Sequence, residues 1–128
     1  MTEFKPQSEF PLYEEYAKVF PFIVGNLNVV FAFDNKIYCN GSLPYHLIIH
    51  EETHLRQQNK VGLDLWVKRY LEDIPFRLEQ EIEAYQNQLN SVKDRNERLR
   101  LKLRVIQDLS GPLYGNILSK EEAEKILK

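Results

Sequence analysis

His50 and His54 stand four residues apart in the segment His50-Glu51-Glu52-Thr53-His54. On a helix, positions i and i+4 lie on one face, one above the other, so both imidazoles can hold a single ion. Neutral imidazole nitrogen is a good zinc ligand. Glu51 lies about 100° round the helix from His50, where it flanks a metal-bound water. A carboxylate there can take that water's proton and later pass it to a leaving amine, while zinc lowers the water's pKa and polarises the scissile carbonyl. The expected cofactor is therefore Zn2+ and the expected chemistry is hydrolysis of a peptide or protein substrate. His50 and His54 are ligands and Glu51 is the general base. An acidic helix further on, holding Glu79, Glu81 and Glu83, could supply a third ligand.

Other side chains have chemistry available to them. His46 lies one turn before His50, but His46 and His54 are about 12 Å apart along a helix axis, too far to share an ion. His46 reads as a pocket-wall or surface residue. Tyr114, in a loop bracketed by Gly and Pro, is a candidate donor to the oxyanion of the tetrahedral intermediate; the other reading is a tyrosine that anchors the loop. Cys39 offers a latent thiolate ligand or, more commonly, a buried strand residue. Arg56, Gln57 and Gln58 extend the motif helix and could support ligands, line a subsite or form surface. Lys93, Arg95, Arg98, Arg100, Lys102 and Arg104 make one helix basic, which a solvated face explains.

The motif must sit on a helix, and the sequence provides one. Ser42 is a candidate cap and Pro44 fits a first turn. The helix should run to about Lys60 and close at Gly62. Upstream, residues 1–11 read as an irregular arm and residues 12–20 as a short helix stopped by Pro21. Residues 27–33 and 36–40 read as a hairpin around Asp34-Asn35-Lys36, ended by Gly41. Downstream, a helix over 63–73 precedes Pro75. Residues 76–92 repeat apolar positions at Leu78, Ile82, Tyr85, Leu89 and Val92, a helical period. Asp94 with Glu97 reads as a capping box for a helix to Leu109, residues 110–116 as a loop, and Ser119 with Glu122 as the cap of a final helix. The fold class expected is α+β: a small N-terminal β-hairpin or sheet, then a helical bundle, in one domain over residues 1–128.

Composition sets the outer bounds. A hydrophobic fraction of 43% and a charged fraction of 28% are globular values. A net charge of -2 argues against a nucleic-acid partner. The single cysteine excludes an intramolecular disulfide. No apolar run reaches the length of a membrane span, and the N-terminal segment is unlike a signal peptide. The expectation is a cytoplasmic protein without membrane or nucleic-acid partners, with leaderless export or carriage in a virion left open.

The segment 50–54 followed by Glu81-Ile82-Glu83-Ala84-Tyr85 resembles the gluzincin metallopeptidases, the broad group that includes thermolysin. In that group two histidines and a downstream glutamate bind zinc, and the glutamate opens a pattern whose places are taken here by Glu81, Ala84 and Tyr85. Tyr85 stands where many members carry Asp or Asn. The likeness extends to very small single-domain peptidases of phage and bacterial genomes, whose HExxHxxQ and LYGN-like segments are matched by His54 to Gln57 and Leu113 to Asn116. It covers about residues 40–120, and only HExxH within it is a specific motif. The resemblance implies a minimal zincin-like fold, with His50, His54 and Glu81 on the metal. Helical geometry agrees on the glutamate: Glu81 falls about 60° from the centre of the apolar stripe, whereas Glu79 and Glu83 fall roughly 100–140° away. Two rivals stay open. One is a non-catalytic zinc protein with a structural or regulatory role, such as a virion component. The other is a metal-free binding module that uses the basic helix.

Overall fold

The computed structural model describes residues 2–128. Three short strands, β1 (Glu3–Lys5), β2 (Phe31–Phe33) and β3 (Lys36–Tyr38), form a sheet in the order β1-β3-β2. The expected hairpin is present as β2 and β3, antiparallel with Phe31 opposite Tyr38 and Phe33 opposite Lys36. Its turn is two residues, tighter than expected. Asp34 and Asn35 both adopt positive φ, 52° and 63°, a conformation that matches the twist of the strands and that Asp and Asn tolerate. The N-terminal arm is not wholly irregular, because β1 pairs in parallel with β3, Phe4 against Ile37. That pairing joins segments far apart in sequence and has no local periodicity to announce it.

Six helices make up most of the rest of the described chain: α1 (Tyr13–Val19), α2 (Tyr45–Val61), α3 (Leu63–Glu72), α4 (Ile74–Asn90), α5 (Arg95–Leu109) and α6 (Lys120–Ile126). The architecture is α+β, and among the described residues no helix is long and apolar enough to cross a membrane. Ser42 does not cap α2. The helix starts one residue after Pro44, whose carbonyl accepts from the amides of Leu47 at 3.0 Å and Ile48 at 3.2 Å. Gly62 closes α2 with φ 105°, outside the range comfortable for a residue with a Cβ, and opens α3 directly. Asp73 caps α4 by accepting from the Phe76 amide at 3.1 Å, with Pro75 in the first turn. Asp94 caps α5 through the Glu97 amide, and Ser119 and Glu122 complete a reciprocal capping box on α6.

Three apolar clusters support these elements. Leu78, Leu89, Leu101, Val105, Leu109, Tyr114 and Ala123 join α4, α5, α6 and the 3-10 turn at Pro112–Tyr114. Phe10, Tyr16, Phe20, Ile23, Phe31 and Tyr38 bring the N-terminal segment onto the sheet. Ala32, Ile37, Cys39 and Leu55 seat the sheet on α2. α2 packs chiefly on α4. The buried face of α4 is rotated from the apolar stripe: its deeply buried positions are Phe76, Arg77, Leu78, Glu81, Ala84, Gln88 and Leu89, while Ile82 and Tyr85 are only partly covered. The helix is packed on two sides, against α2 and against α5, so hydrophobicity alone marks only one of its covered faces.

Replacing Leu109, which has no solvent exposure, by alanine should lower the unfolding free energy by about 2–5 kcal/mol. Ser119→Ala, which removes a cap at the surface, should cost about 1 kcal/mol. Urea unfolding of the two variants checks the order. Equal losses would mean that the helical cluster is not tightly packed around Leu109.

Candidate metal centre

The i, i+4 spacing on α2 sets His50 and His54 side by side, their ring centroids 4.9 Å apart. Glu81 meets them from α4. Its Oε1 lies 3.0 Å from Nε2 of His50 and 3.1 Å from Nε2 of His54. All three residues are buried, with 5–6% of their surface exposed. The contact requires the two helices to come close, and Ala84, one turn from Glu81 and fully buried, leaves room for it. Glu79 and Glu83 are exposed, as the helical geometry anticipates, and Glu83 accepts from Gln57 at 2.7 Å instead of joining the group.

The group fits a metal ion. Ligands about 2.0–2.1 Å from one ion in tetrahedral geometry stand about 3.3 Å from each other, close to the separations of Glu81 Oε1 from the two histidines. The donor atoms all lie within 4.8 Å of one another. The outer nitrogens of both rings are already engaged. Nδ1 of His54 lies 2.8 Å from Oε1 of Gln57, and Nδ1 of His50 lies 2.9 Å from Oε1 of Gln88. An amide oxygen only accepts, so each Nδ1 carries a proton and each Nε2 is the atom that can offer a lone pair to an ion. The second carboxylate oxygen of Glu81 accepts from the hydroxyl of Tyr70 at 2.5 Å.

Glu51 lies at the edge of the group, 7% exposed. Burial raises its carboxyl above the ordinary value and Glu81 adds to the rise, while His50 and His54 oppose it. A raised carboxyl moves toward the range in which a group both takes and returns a proton near neutrality. Burial alone would lower the His54 pKa, but the charge and hydrogen bond of Glu81, the charge of Glu51 and the hydrogen bond to Gln57 outweigh it and lift it to about 9. Burial likewise works against ionised Glu81, yet the two histidines hold its carboxyl well below the ordinary value.

His50, Glu51, His54 and Glu81 line a cleft of about 130 Å³. Its other walls come from upstream: Tyr16, Phe20, Phe22 and Ile23, and the chain from Val29 to Ala32, with Trp66 and Tyr70 of α3 and Leu113. Arg77 steadies this wall. Its buried guanidinium donates to the carbonyls of Tyr70, Leu71 and Leu113 and lies over the Phe20 ring at 4.7 Å. Tyr16 and Arg77 carry no spacing rule that would single them out in the sequence.

The remaining candidates fall in different places. Tyr114 is not at the cleft. It is 2% exposed inside the helical cluster, where it anchors the loop, and burial and then the charge of Glu81 raise its hydroxyl pKa. Cys39 follows β3, is buried in the cluster between sheet and α2, and is not among the converging donors. Burial raises its thiol pKa, which disfavours the ligating thiolate. Gln57 is a buried support, donating to the Gln80 carbonyl and to Glu83 while it holds His54. Gln58 instead ties α2 to the sheet by donating to the Ala32 carbonyl and accepting from the Asp34 amide. Arg56 is exposed. On α5, Arg95, Arg100 and Arg104 face solvent, and Arg98 caps carbonyls of Leu89 and Lys128. The amide of Gln88 is the support that sequence reasoning missed. Its only signal is that it lies two turns after Glu81, on the same face of the helix.

The His54–Glu81 pair makes the metal-free protein sensitive to pH. The His54 pKa is raised on folding, so its contribution to stability is complete below the ordinary value of 6.5 and is lost as pH rises through about 9. The thermal midpoint of the chelator-treated protein should therefore fall across that window. In Glu81→Gln the slope there should be shallower, since the anion that raises the His54 pKa is gone. Parallel profiles for the two proteins would show that the pair is not linked to folding.

Comparison with family models, with curated proteins and with solved structures finds no match.

Proposed function

We propose that the chain is a zinc-dependent peptide hydrolase of minimal zincin-like form. The observation that carries this reading is Glu51: a buried carboxylate beside the three converging ligands, opening on a cleft. A purely structural site has no use for such a base. Zinc bound by His50, His54 and Glu81 would activate a water and polarise the scissile carbonyl. Glu51 is placed to take the proton of that water and to deliver it to the departing amine. The cleft has room for on the order of ten waters, which suits a bulky side chain and the carbonyl next to it.

The sheet supplies a place for an extended peptide. β2 is an edge strand, because β3 covers only one of its sides. Gln58 occupies the outward-facing groups at Ala32 and Asp34. Val30, two residues before Ala32 and on the cleft wall, is the position where a substrate backbone would pair with the edge. Tyr16 takes the role first expected of Tyr114. Its hydroxyl pKa is raised by burial and then by the charges of Glu81 and Glu51, so it stays a proton donor, and the residue lines the cleft that holds the ligands. A hydrogen bond from it to the developing oxyanion would strengthen as charge accumulates.

The second reading, a non-catalytic metal protein of structural or regulatory type, is favoured by the small size of the cleft. Metal content and turnover separate the two. The purified wild-type protein should take up about one zinc per chain, and His50→Ala or His54→Ala should abolish uptake. Glu51→Gln should keep the zinc and the fold but lose cleavage of a peptide library, whereas Tyr16→Phe should keep the zinc and lower kcat by about 10²–10³. A protein that takes up no zinc removes both metal readings. A zinc-loaded wild type that cleaves nothing leaves the structural one.

A further inference from the structure

His46 is the one histidine of the three that the proposed chemistry does not use, yet it is wired to the centre. It is half-buried in the first turn of α2, and its Nδ1 lies 2.8 Å from Nε2 of Gln88. The other end of the same amide, Oε1, lies 2.9 Å from Nδ1 of His50. The amide nitrogen can only donate and the amide oxygen can only accept. His46 Nδ1 is therefore an acceptor, and His50 Nδ1 is a donor.

An amide can also sit turned end for end at little steric cost. In that state Nε2 of Gln88 would face Nδ1 of His50 and demand a lone pair from it. Neutral His50 would then carry its proton on Nε2, the atom that faces Glu81, and could not bind an ion there. His46 with its proton on Nε2 works against the turned state, because the amide oxygen would then meet the lone pair of its Nδ1. We infer that His46 is a positioning residue: through the amide of Gln88 it holds His50 in the tautomer that leaves Nε2 free for a metal ion. The inference rests on the metal-centre reading above.

The surroundings keep His46 in the accepting state. Burial lowers its pKa, the guanidinium of Arg104 on α5 and His50 on α2 act in the same direction, and Glu97 on α5 opposes them. The neutral form is therefore favoured, and opposite the amide nitrogen of Gln88 its proton belongs on Nε2. The chain His46–Gln88–His50 crosses from α2 to α4 and back.

The test uses the full chain and zinc alone as the probe, with affinity read by competition against a chromophoric chelator. His46→Leu and His46→Ala remove the acceptor, His46→Gln offers a carbonyl oxygen in its place, and Gln88→Leu removes the whole link. Support residues of this kind alter metal affinity by about 10–100-fold. Gln88→Leu should fall in that range. The two acceptor-free His46 variants should bind zinc about tenfold more weakly than wild type, and His46→Gln should recover most of the loss. The unfolding midpoints of the metal-free His46 variants should be alike, which a merely structural role would not give. Wild-type affinity in both acceptor-free variants, or no recovery in His46→Gln, would overturn the inference while leaving the metal centre intact. Failure of the wild type to take up zinc would overturn the centre itself and the inference with it.

Discussion

The carboxylate of Glu81, ionised and buried between α2 and α4, is the feature to which the neighbouring polar groups answer. An ion of this kind loses several kcal/mol of hydration unless charges and hydrogen bonds replace the water. Here the replacement is complete. One oxygen faces both Nε2 atoms of His50 and His54, and the other takes the hydroxyl of Tyr70. No buried side-chain nitrogen or oxygen among the described residues lacks a partner. Because two of the groups that satisfy Glu81 lie on α2, the electrostatics also dictate packing. The two helices must meet along the His50–His54 face, at Ala84, where no side chain stands in the way. The i, i+4 spacing of the histidines and the helical phase of Glu81 are thus parts of one constraint.

The supports of the histidines follow from the same balance. Both outer nitrogens are held by amides, Gln57 and Gln88. A carboxylate in either place would accept the hydrogen bond more strongly, but it would also bring another negative charge beside Glu81 and Glu51 in a region that excludes water. With neutral supports, a divalent cation and the two carboxylates sum to zero formal charge. Glu51 can then share in a neutral site, and its raised pKa reflects burial more than crowding by other acids. Tyr85 packs its ring against His50 with centroids 4.6 Å apart. The hydrogen bond to Nδ1 of His50 is made by Gln88, three residues later on α4.

Much of this was legible in the sequence because it is local. The helix around residues 50–54, its closure at Gly62, the Asp73–Pro75 break and the cap at Ser119 are set by residues within one or two turns of each other. Glu81 could be chosen over Glu79 and Glu83 because helical phase is a local property. What the sequence concealed is non-local. β1 is three residues whose partner lies more than thirty positions away. The amide of Gln88 becomes meaningful only when α4 is laid beside α2. Tyr114 could be read either as a donor to the cleft or as a loop anchor, and its ring is buried in the helical cluster; no local pattern distinguishes the two. Ser42 looked like a cap, but the chain stays extended through Pro44, which itself sits at the cap position.

The far wall of the cleft faces the His50–His54 pair from across the opening. It is built largely from residues that precede the motif. Phe10, Tyr16, Phe20 and Ile23 pack with Phe31 and Tyr38 into an aromatic cluster, and Tyr16 stacks toward Tyr70 at 6.3 Å between centroids. Such rings bury large areas with few torsions to freeze, so a segment of short helical turns can be rigid. Arg77 fastens the same wall from α4 by binding the carbonyls at the end of α3 and at Leu113. Its charge needs no acid partner there, because three carbonyl oxygens and the face of Phe20 surround it. The wall and the ligand Glu81 therefore share one helix. A shift of α4 would move both together, which keeps the cleft in register with the centre that it serves.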